Sequence, residues 1–504
     1  MAIAEVLPGA RSTSMSSGLP KSAAVLNSKL PIVVWLYLLG IAIPLWFNVG
    51  SLSMSTMRLV LLIAVVPLSF ALFRKKYGRV IPTDILLFLH ILWAVIALGV
   101  NNPDKVVENI GSAAVELIGG YVVGRAFIRT PEQFGALCRT LFVIVIIWLP
   151  FSILEARNGR PLILELIESL PGITTYADVS KDLRLGMNRV QLVFAHPIHY
   201  GLFCSIVFSL AFVGFKGVYG DAKRWMVAGA VGVCTFLSLS SGALLALILQ
   251  LGMISWAFIF QKVERKWLLL LGLFAVAYVV VDLLSNRTPI RVMMSYATFS
   301  AHTAYWRGLI FEYGMLNVWA NPIFGIGLNE WFRPHYMNSG SMDNFWLVMA
   351  VRYGIPGFLL ITLAYIDILR RVGTRDFRAD PLVSQFRLAW MFTFLGLSFT
   401  LSTVHIWTSL FSFVFFLLGA GVWMIDYQPK SAGAAGPTES GSRRAPLQYS
   451  RAPQTPASVK AEAAPEPGTD APVANAVRSS LRFTRFARQP IGQAEAPKAG
   501  DAKT

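Results

Sequence analysis

The sequence predicts an all-α polytopic membrane protein with about twelve transmembrane helices and helical outer loops, and three observations predict it. First, 55% of its 504 residues are hydrophobic and only 14% are charged, against about 25% charged in an ordinary soluble domain. Second, a mean hydropathy of +0.58 over this length does not fit one soluble core. Third, apolar runs of bilayer-crossing length, about 20 residues each, alternate with short basic loops. The same composition excludes a mainly disordered chain and a small disulfide scaffold. Cys138, Cys204 and Cys234 all lie inside apolar runs and read as small buried apolar side chains.

The expected spans are residues 31–49, 57–73, 83–100, 106–124, 135–155, 191–215, 225–240, 243–260, 267–284, 345–369, 387–403 and 406–425. The first follows a polar segment, 1–30, that lacks the short apolar core and cleavage site of a removed signal peptide, so it is expected to stay as an anchor. The fourth carries Glu108 and Glu116. These carboxylates are eight residues apart and are expected to face protein, with Arg58 or Arg352 as partners. The seventh and eighth spans are separated by Ser241-Gly242 alone, which makes them a tight helical hairpin.

Basic residues in short loops orient such a chain. With the N-terminus in the cytoplasm, Arg74, Lys75, Lys76 and Arg79 fall inside, as do Arg125, Arg129, Lys216, Lys223, Arg224, Lys262, Arg265, Lys266, Arg370 and Arg371. Essentially the whole formal charge of +17 then lies on that face and in the tail, and the remainder is balanced. This pattern points to a plasma membrane, not to nucleic acid. It places both termini in the cytoplasm. Residues 31–427 form the transmembrane domain, with two long outer loops at 156–190 and 285–344 where function is expected to concentrate. Residues 428–504, rich in Ala, Pro, Ser and Gly, read as a disordered cytoplasmic tail. In it, Arg478, Arg482, Arg485 and Arg488 alternate with Leu481, Phe483 and Phe486, as a solvated basic stretch or a short amphipathic helix on anionic lipid.

The chain has no DxD, HExxH or paired CxxC pattern, and neither a GxxxxGK[ST] nor a GxGxxG loop on the cytoplasmic side. No metal or cofactor is therefore expected. The chemistry-bearing residues gather outside. Arg184 and Arg189 end the first long loop, and His196-Pro197-Ile198-His199 follows at the start of a span. Pro197 should kink or delay that helix. Ionisable groups at this depth are costly unless they line a cavity or find partners. Arg189 either serves a site or snorkels to headgroups, and the histidines either serve it or pair with neighbouring helices.

The second loop carries an aromatic-rich interfacial helix at 304–320 with Arg307 and Glu312, then the turn Asn321-Pro322-Ile323-Phe324-Gly325-Ile326-Gly327-Leu328. Ser341-Met342-Asp343-Asn344 leads into the tenth span, which Gly354-Ile355-Pro356-Gly357 interrupts within its outer half. A broken helix at membrane depth is tolerated where it lines a cavity. Arg291, His302, Arg333 and His335 are further candidate sugar or phosphate contacts, and Trp306, Trp331 and Trp346 could stack on sugars or belong to the interfacial belt.

Together these stretches resemble the O-antigen ligase and polysaccharide polymerase superfamily of bacteria. The residues that carry the resemblance are Arg189 with His196-Pro197, Arg307 with Asn321-Pro322 and Gly325-Ile326-Gly327, and Asp343-Asn344 with Gly354-Ile355-Pro356-Gly357. The resemblance implies a C-type glycosyltransferase-like fold. It also implies metal-independent transfer of a sugar chain from an undecaprenyl-diphosphate-linked oligosaccharide at the outer face of a bacterial inner membrane. Two arginines that grip the donor diphosphate match Arg189 and Arg307. Where the ligase branch carries a histidine before the asparagine, this sequence has Asp343, and the nearest histidine, His335, lies eight residues upstream. A repeat-unit polymerase for exopolysaccharide or O-antigen therefore fits better than a ligase acting on lipid A core. Membrane lipids are expected partners, and a chain-length regulator and a flippase of the same pathway are candidates.

Elementary chemistry agrees. When an acceptor hydroxyl attacks the anomeric carbon, negative charge develops on the departing diphosphate, and guanidinium groups fork onto phosphate oxygens. In a water-shielded site such a donor contributes roughly 3 kcal/mol to barrier lowering. Asp343 would accept the hydroxyl proton or orient the sugar, or be the ion-pair partner of Arg307 or Arg352. The expected catalytic set is Arg189, Arg307 and Asp343, with Arg184, His196, His199, Arg291, His335 and Asn344 as substrate contacts. Ligase-type transfer to lipid or protein is the rival within the class. A flippase or transporter is the rival outside it, although transporters commonly place charged sites near the midplane in two related halves.

Overall fold

The computed structural model describes residues 20–50, 52–179, 183–286, 292 and 301–428. The unit described below lies within Met1–Ser431, and Ala432–Thr504 forms a separate unit outside the described residues. The tail and its basic stretch are therefore not described.

The described chain is a helical bundle. Among the described residues, nine helices are long and apolar enough to cross a membrane. The remaining three expected spans are shorter helices, Ile32–Ala42, Pro197–Phe212 and Asp221–Leu237. In chain order the helices are α1 (Pro20–Asn27), α2 (Ile32–Ala42), α3 (Thr56–Phe73), α4 (Pro82–Asn101), α5 (Val106–Ala114), α6 (Gly120–Phe127), α7 (Pro131–Asn158), α8 (Leu162–Glu168), α9 (Pro197–Phe212), α10 (Asp221–Leu237), α11 (Ser241–Ile259), α12 (Lys266–Leu284), α13 (Ala301–Ala320), α14 (Phe345–Gly373), α15 (Pro381–Leu401), α16 (Thr408–Gly419) and α17 (Trp423–Asp426).

Two expected spans differ in their course. The first stops at Ala42 and does not reach residue 49, because Pro44 disfavours helical backbone at Ile43 (φ −128°, ψ 86°). The chain then forms an antiparallel hairpin of β1 (Trp46–Val49) and β2 (Leu52–Ser55). In the fourth span a π-turn, Val115–Gly119, separates α5 from α6. Glu116 lies in this turn, buried, with Arg58 Nε 2.8 Å from its carboxylate. Glu108 instead lies at the exposed start of α5, 4.0 Å from Lys105. The pairing of Glu116 with Arg58 agrees with expectation, but the two carboxylates do not share a buried face.

The core runs through α9 and α16. Every residue of α16 after Thr408 is buried, as is all of α9 except Ile198. Both carry apolar residues on every side, with a few buried polar ones such as His199, Ser205 and Ser412. Gly120 and Gly124 let α6 lie directly on α16, since a Cβ at Gly120 would stand 2.6 Å from the Ser412 carbonyl oxygen and one at Gly124 2.7 Å from the Ala420 nitrogen. By contrast, α12 has no buried residue. Its described ring contacts are with α15, Trp267 on Phe392 at 5.6 Å and Phe274 on Phe399 at 6.0 Å. The hairpin expected near residue 241 forms, with Ser238, Leu239 and Ser240 joining α10 to α11 and Ser240 capping α11.

Helix α14 is broken as expected. Gly354 has φ 70° and ψ 178°, and the turn after α13 plugs into the gap. Ile355 N–H donates to Pro322 O (2.8 Å), Ile326 N–H to Val351 O (2.8 Å) and Gly327 N–H to Arg352 O (3.1 Å). The backbone groups freed by the break are thus satisfied by protein, as membrane depth demands. This junction fixes α13 against the start of α14.

Candidate functional site

The first strand of the site is the segment around Arg184 and Arg189. Arg184 and Met187 exchange backbone hydrogen bonds of 3.0 Å and close a tight turn with Gly186 at φ 74°. The Arg184 guanidinium Nη1 donates to Leu239 O at 2.9 Å, in the turn between α10 and α11. Val190 N–H donates to Leu237 O in the same turn, and Asn188 N–H donates to Ala156 O at the end of α7. The buried Glu155 carboxylate accepts from Gln191 N–H (2.8 Å) and Leu192 N–H (3.0 Å). The backbone on both sides of Arg189 is therefore nailed to two helices. Leu192 is held at φ 54°, a conformation costly for a non-glycine residue.

The second component is Arg307 on α13. It is 7% exposed, and among the described residues its Nε and Nη1 have no hydrogen-bond partner. Burial lowers its proton affinity, the neighbouring Asp343 carboxylate works against that loss, and the Arg184 guanidinium adds to it. Asp343 and Arg184 thus both lie within electrostatic reach of Arg307. Two cations face one carboxylate, so the cluster favours an additional anion.

The third component is the entry to α14. Asp343 accepts a 2.8 Å hydrogen bond from Ser341 Oγ. Asn344 is the N-cap of α14, its Oδ1 accepting from Leu347 N–H at 3.1 Å. Phe345 N–H donates to Val404 O in the loop joining α15 to α16. That loop brings His405 and Trp407 beside the start of α9. Trp407 packs on His199 at 4.0 Å between centroids and lies 6.3 Å from His196, and the His405 ring stacks on it at 5.9 Å.

Several expected contacts change meaning. Asn344 engages its carbonyl oxygen in the helix cap, which leaves its amide N–H groups for other partners. His199 is fully buried against Trp407 and reads as packing. His196 caps α9, its Nδ1 accepting from Ile198 N–H at 3.1 Å. The helix starts at Pro197, so Pro197 delays it and does not kink it, and His196 stands at its mouth, not inside a turn. His335 is exposed on the loop after α13. Arg333 is spent on Met337 O, Trp331 O and Glu330, and Trp331 donates to Gly340 O. Arg291 lies outside the described residues, as does the side chain of His302.

The sequence did not single out Arg352, His405 or Trp407 as site residues. Arg352 is exposed beside the break in α14. Its charge reaches His405, whose imidazole is pushed down to about 3, by burial first and by Arg352 second. The one available signal was their placement near the outer ends of adjacent spans. Among the described residues, no group of three or more His, Cys, Asp or Glu side chains could hold a metal ion.

Residues 226–362 match the family model for O-antigen ligase. Over these residues the chain is similar to O-antigen ligases. This is the superfamily that the sequence resembles, and its members are glycosyltransferase-like enzymes. The O-antigen ligase match covers Arg307, Asp343 and the broken helix, while Arg184 and Arg189 precede it. No curated protein matches the chain.

Proposed function

We propose that this protein is a polymerase that joins undecaprenyl-diphosphate-linked oligosaccharide repeat units into exopolysaccharide or O-antigen at the outer face of a bacterial inner membrane. The observation that carries the reading is Arg307. A buried guanidinium with two donors unengaged among the described residues, near a second arginine and a carboxylate, suits a bound diphosphate and offers the fork geometry that phosphate oxygens accept.

In the proposed step, the acceptor sugar's hydroxyl oxygen attacks the anomeric carbon of the donor. The bond from that carbon to the phosphate oxygen breaks, and its electron pair leaves with the lipid diphosphate. Arg307 and Arg184 neutralise the developing charge, and Arg189, on the pinned segment, is the further arginine assigned to the diphosphate. Such preorganised donors act without reorganising during the reaction. Asp343 takes the hydroxyl proton, with Ser341 orienting its carboxylate. Because the arginines supply the positive charge, the reading is metal-independent.

The reading is tested in membranes supplied with purified lipid-linked repeat units. Longer lipid-linked chains are expected. Glycan on a new lipid or protein acceptor would favour ligase activity, and unchanged oligosaccharide moved across the bilayer would favour a flippase.

A further inference from the structure

Opposite the arginine cluster, at the end of the bundle that carries the basic loops, lies a second built feature. A cleft of about 150 Å³ opens between the loop joining α3 to α4, the end of α6 and the C-terminal α17. We propose that this cleft binds the phosphate headgroup of an anionic phospholipid.

The charge arrangement at the cleft comes first. Arg125, 4% exposed, forms its back wall, with Nη1 donating to Tyr77 O (3.1 Å), Nη2 to Arg79 O (2.8 Å) and Nε lying 3.5 Å from Asp84. Asp84 also accepts from Tyr121 Oη at 2.5 Å and from Ile81 N–H at 2.8 Å. That pair is therefore internally compensated and rigid. Asp426, the carboxylate on the rim, is neutralised by Arg79 at 2.9 Å. Arg129 is different. It is exposed, its guanidinium lies 5.9 Å above the Tyr77 ring, and among the described residues it has no carboxylate partner. The cleft keeps one uncompensated positive charge.

A second, independent observation is Trp423. Its ring lines the cleft, it is 93% buried, and among the described residues its Nε1–H has no acceptor. A buried donor without a partner costs free energy that an acceptor oxygen would recover. A phosphate oxygen in the cleft would meet Arg129 beside the Trp423 ring.

The surroundings point to a lipid and not to a soluble phosphate. Tyr77, Trp423 and Tyr427 ring the cleft, as aromatic residues do at headgroup depth. Arg74, Lys75 and Lys76 are exposed on the same loop. Just beyond it, Phe70 and Phe73 of α3 and Ile85 of α4 present exposed apolar surface on which acyl chains can lie. Basic pockets between the ends of membrane helices have this character in lipid-binding proteins. A bound headgroup would also tie α17 to the loop after α3.

The test uses the full-length protein in mild detergent, first stripped of lipid and then titrated with phosphatidylglycerol, phosphatidylcholine or inorganic phosphate while bound species are read by native mass spectrometry. Arg129→Gln removes the uncompensated charge from an exposed position, and Lys262→Gln removes a charge elsewhere. Wild type and Lys262→Gln should retain phosphatidylglycerol in preference to phosphatidylcholine. Arg129→Gln should bind phosphatidylglycerol about fivefold more weakly, one basic contact's worth, and Arg129→Lys should recover most of the affinity. Equal retention of the two lipids, equal retention by wild type and Arg129→Gln, or occupancy by inorganic phosphate without phosphatidylglycerol would each overturn the assignment.

Discussion

At the scale of residues, the account turns on three charges. Arg307 is buried with donors to spare, Arg184 leans on the turn after α10, and Asp343 stands between solvent and the start of α14. Asp343→Asn should lower kcat by about 100-fold or more with little change in the donor KM, as loss of a general base does. Unchanged turnover would remove Asp343 from the chemistry. His405 supports a prediction about pH. Its folded imidazole, down to about 3, favours the neutral form, whereas a solvated one titrates near 6.5. The stability linked to that neutrality is fully present above about pH 6.5 and is lost as pH falls toward about 3. Thermal unfolding of the purified protein should therefore show a steeper fall between those limits for wild type than for His405→Phe, which keeps the ring against Phe345 and Trp407. Parallel curves would contradict the assignment. Arg307 and Asp343 were legible in the sequence because a charged residue in an aromatic, interfacial stretch is costly and so conspicuous. Asn344 is also a helix cap, a role that an asparagine before an apolar run equally signals. His405, Arg352 and Trp407 were not legible as a set, since only tertiary packing of the loop after α15 against α9 and α14 brings them together.

At the scale of elements, the junction between α13 and α14 does the positioning. Gly354 adopts φ 70°, and a Cβ there would press on the Ile323 carbonyl that docks in the gap. Gly354→Ala should cost about 1–3 kcal/mol from backbone strain alone, and should reduce transfer by loosening Arg307 relative to Asp343. Measured Tm and activity that both match wild type would show the junction to be dispensable. The π-turn carries the other prediction. Glu116→Ala strands Arg58, whose Nη1 holds Ser53 O and whose guanidinium lies 4.9 Å over Trp46. Removing one partner of a buried pair costs roughly 3–5 kcal/mol, and thermal melts of the purified variant should show a lowered Tm. No loss would mean that the pair is solvated. The break in α14 could be read directly from Gly-Ile-Pro-Gly, and the hairpin between α10 and α11 from the short gap between two apolar runs, although the connection is Ser238-Leu239-Ser240 and not Ser241-Gly242. The early end of α2 was missed because an apolar run extends past Pro44, and hydropathy counts residues, not backbone hydrogen bonds. The π-turn left no mark in composition.

At the scale of the whole molecule, the bundle buries α9 and α16 and leaves α12 bare, so the fold is specified by which helices are apolar on every side and which glycines permit close approach. Fold class was legible because the bilayer imposes length and apolarity on every span. The pairing of helices was not, because lipid and protein demand the same side chains and only contact geometry separates them. The two ends of the bundle now carry different chemistry: a cluster of two arginines and one carboxylate at the long-loop end and a small basic cleft at the other.

The most direct measurement is elongation of purified undecaprenyl-diphosphate-linked repeat units by the purified wild-type protein and by Arg307→Ala, each in EDTA. The account predicts longer lipid-linked chains from wild type without added metal, and a loss of about 100-fold or more in Arg307→Ala. Wild-type rates from Arg307→Ala, or wild-type activity that appears only when a divalent ion is restored, would contradict it.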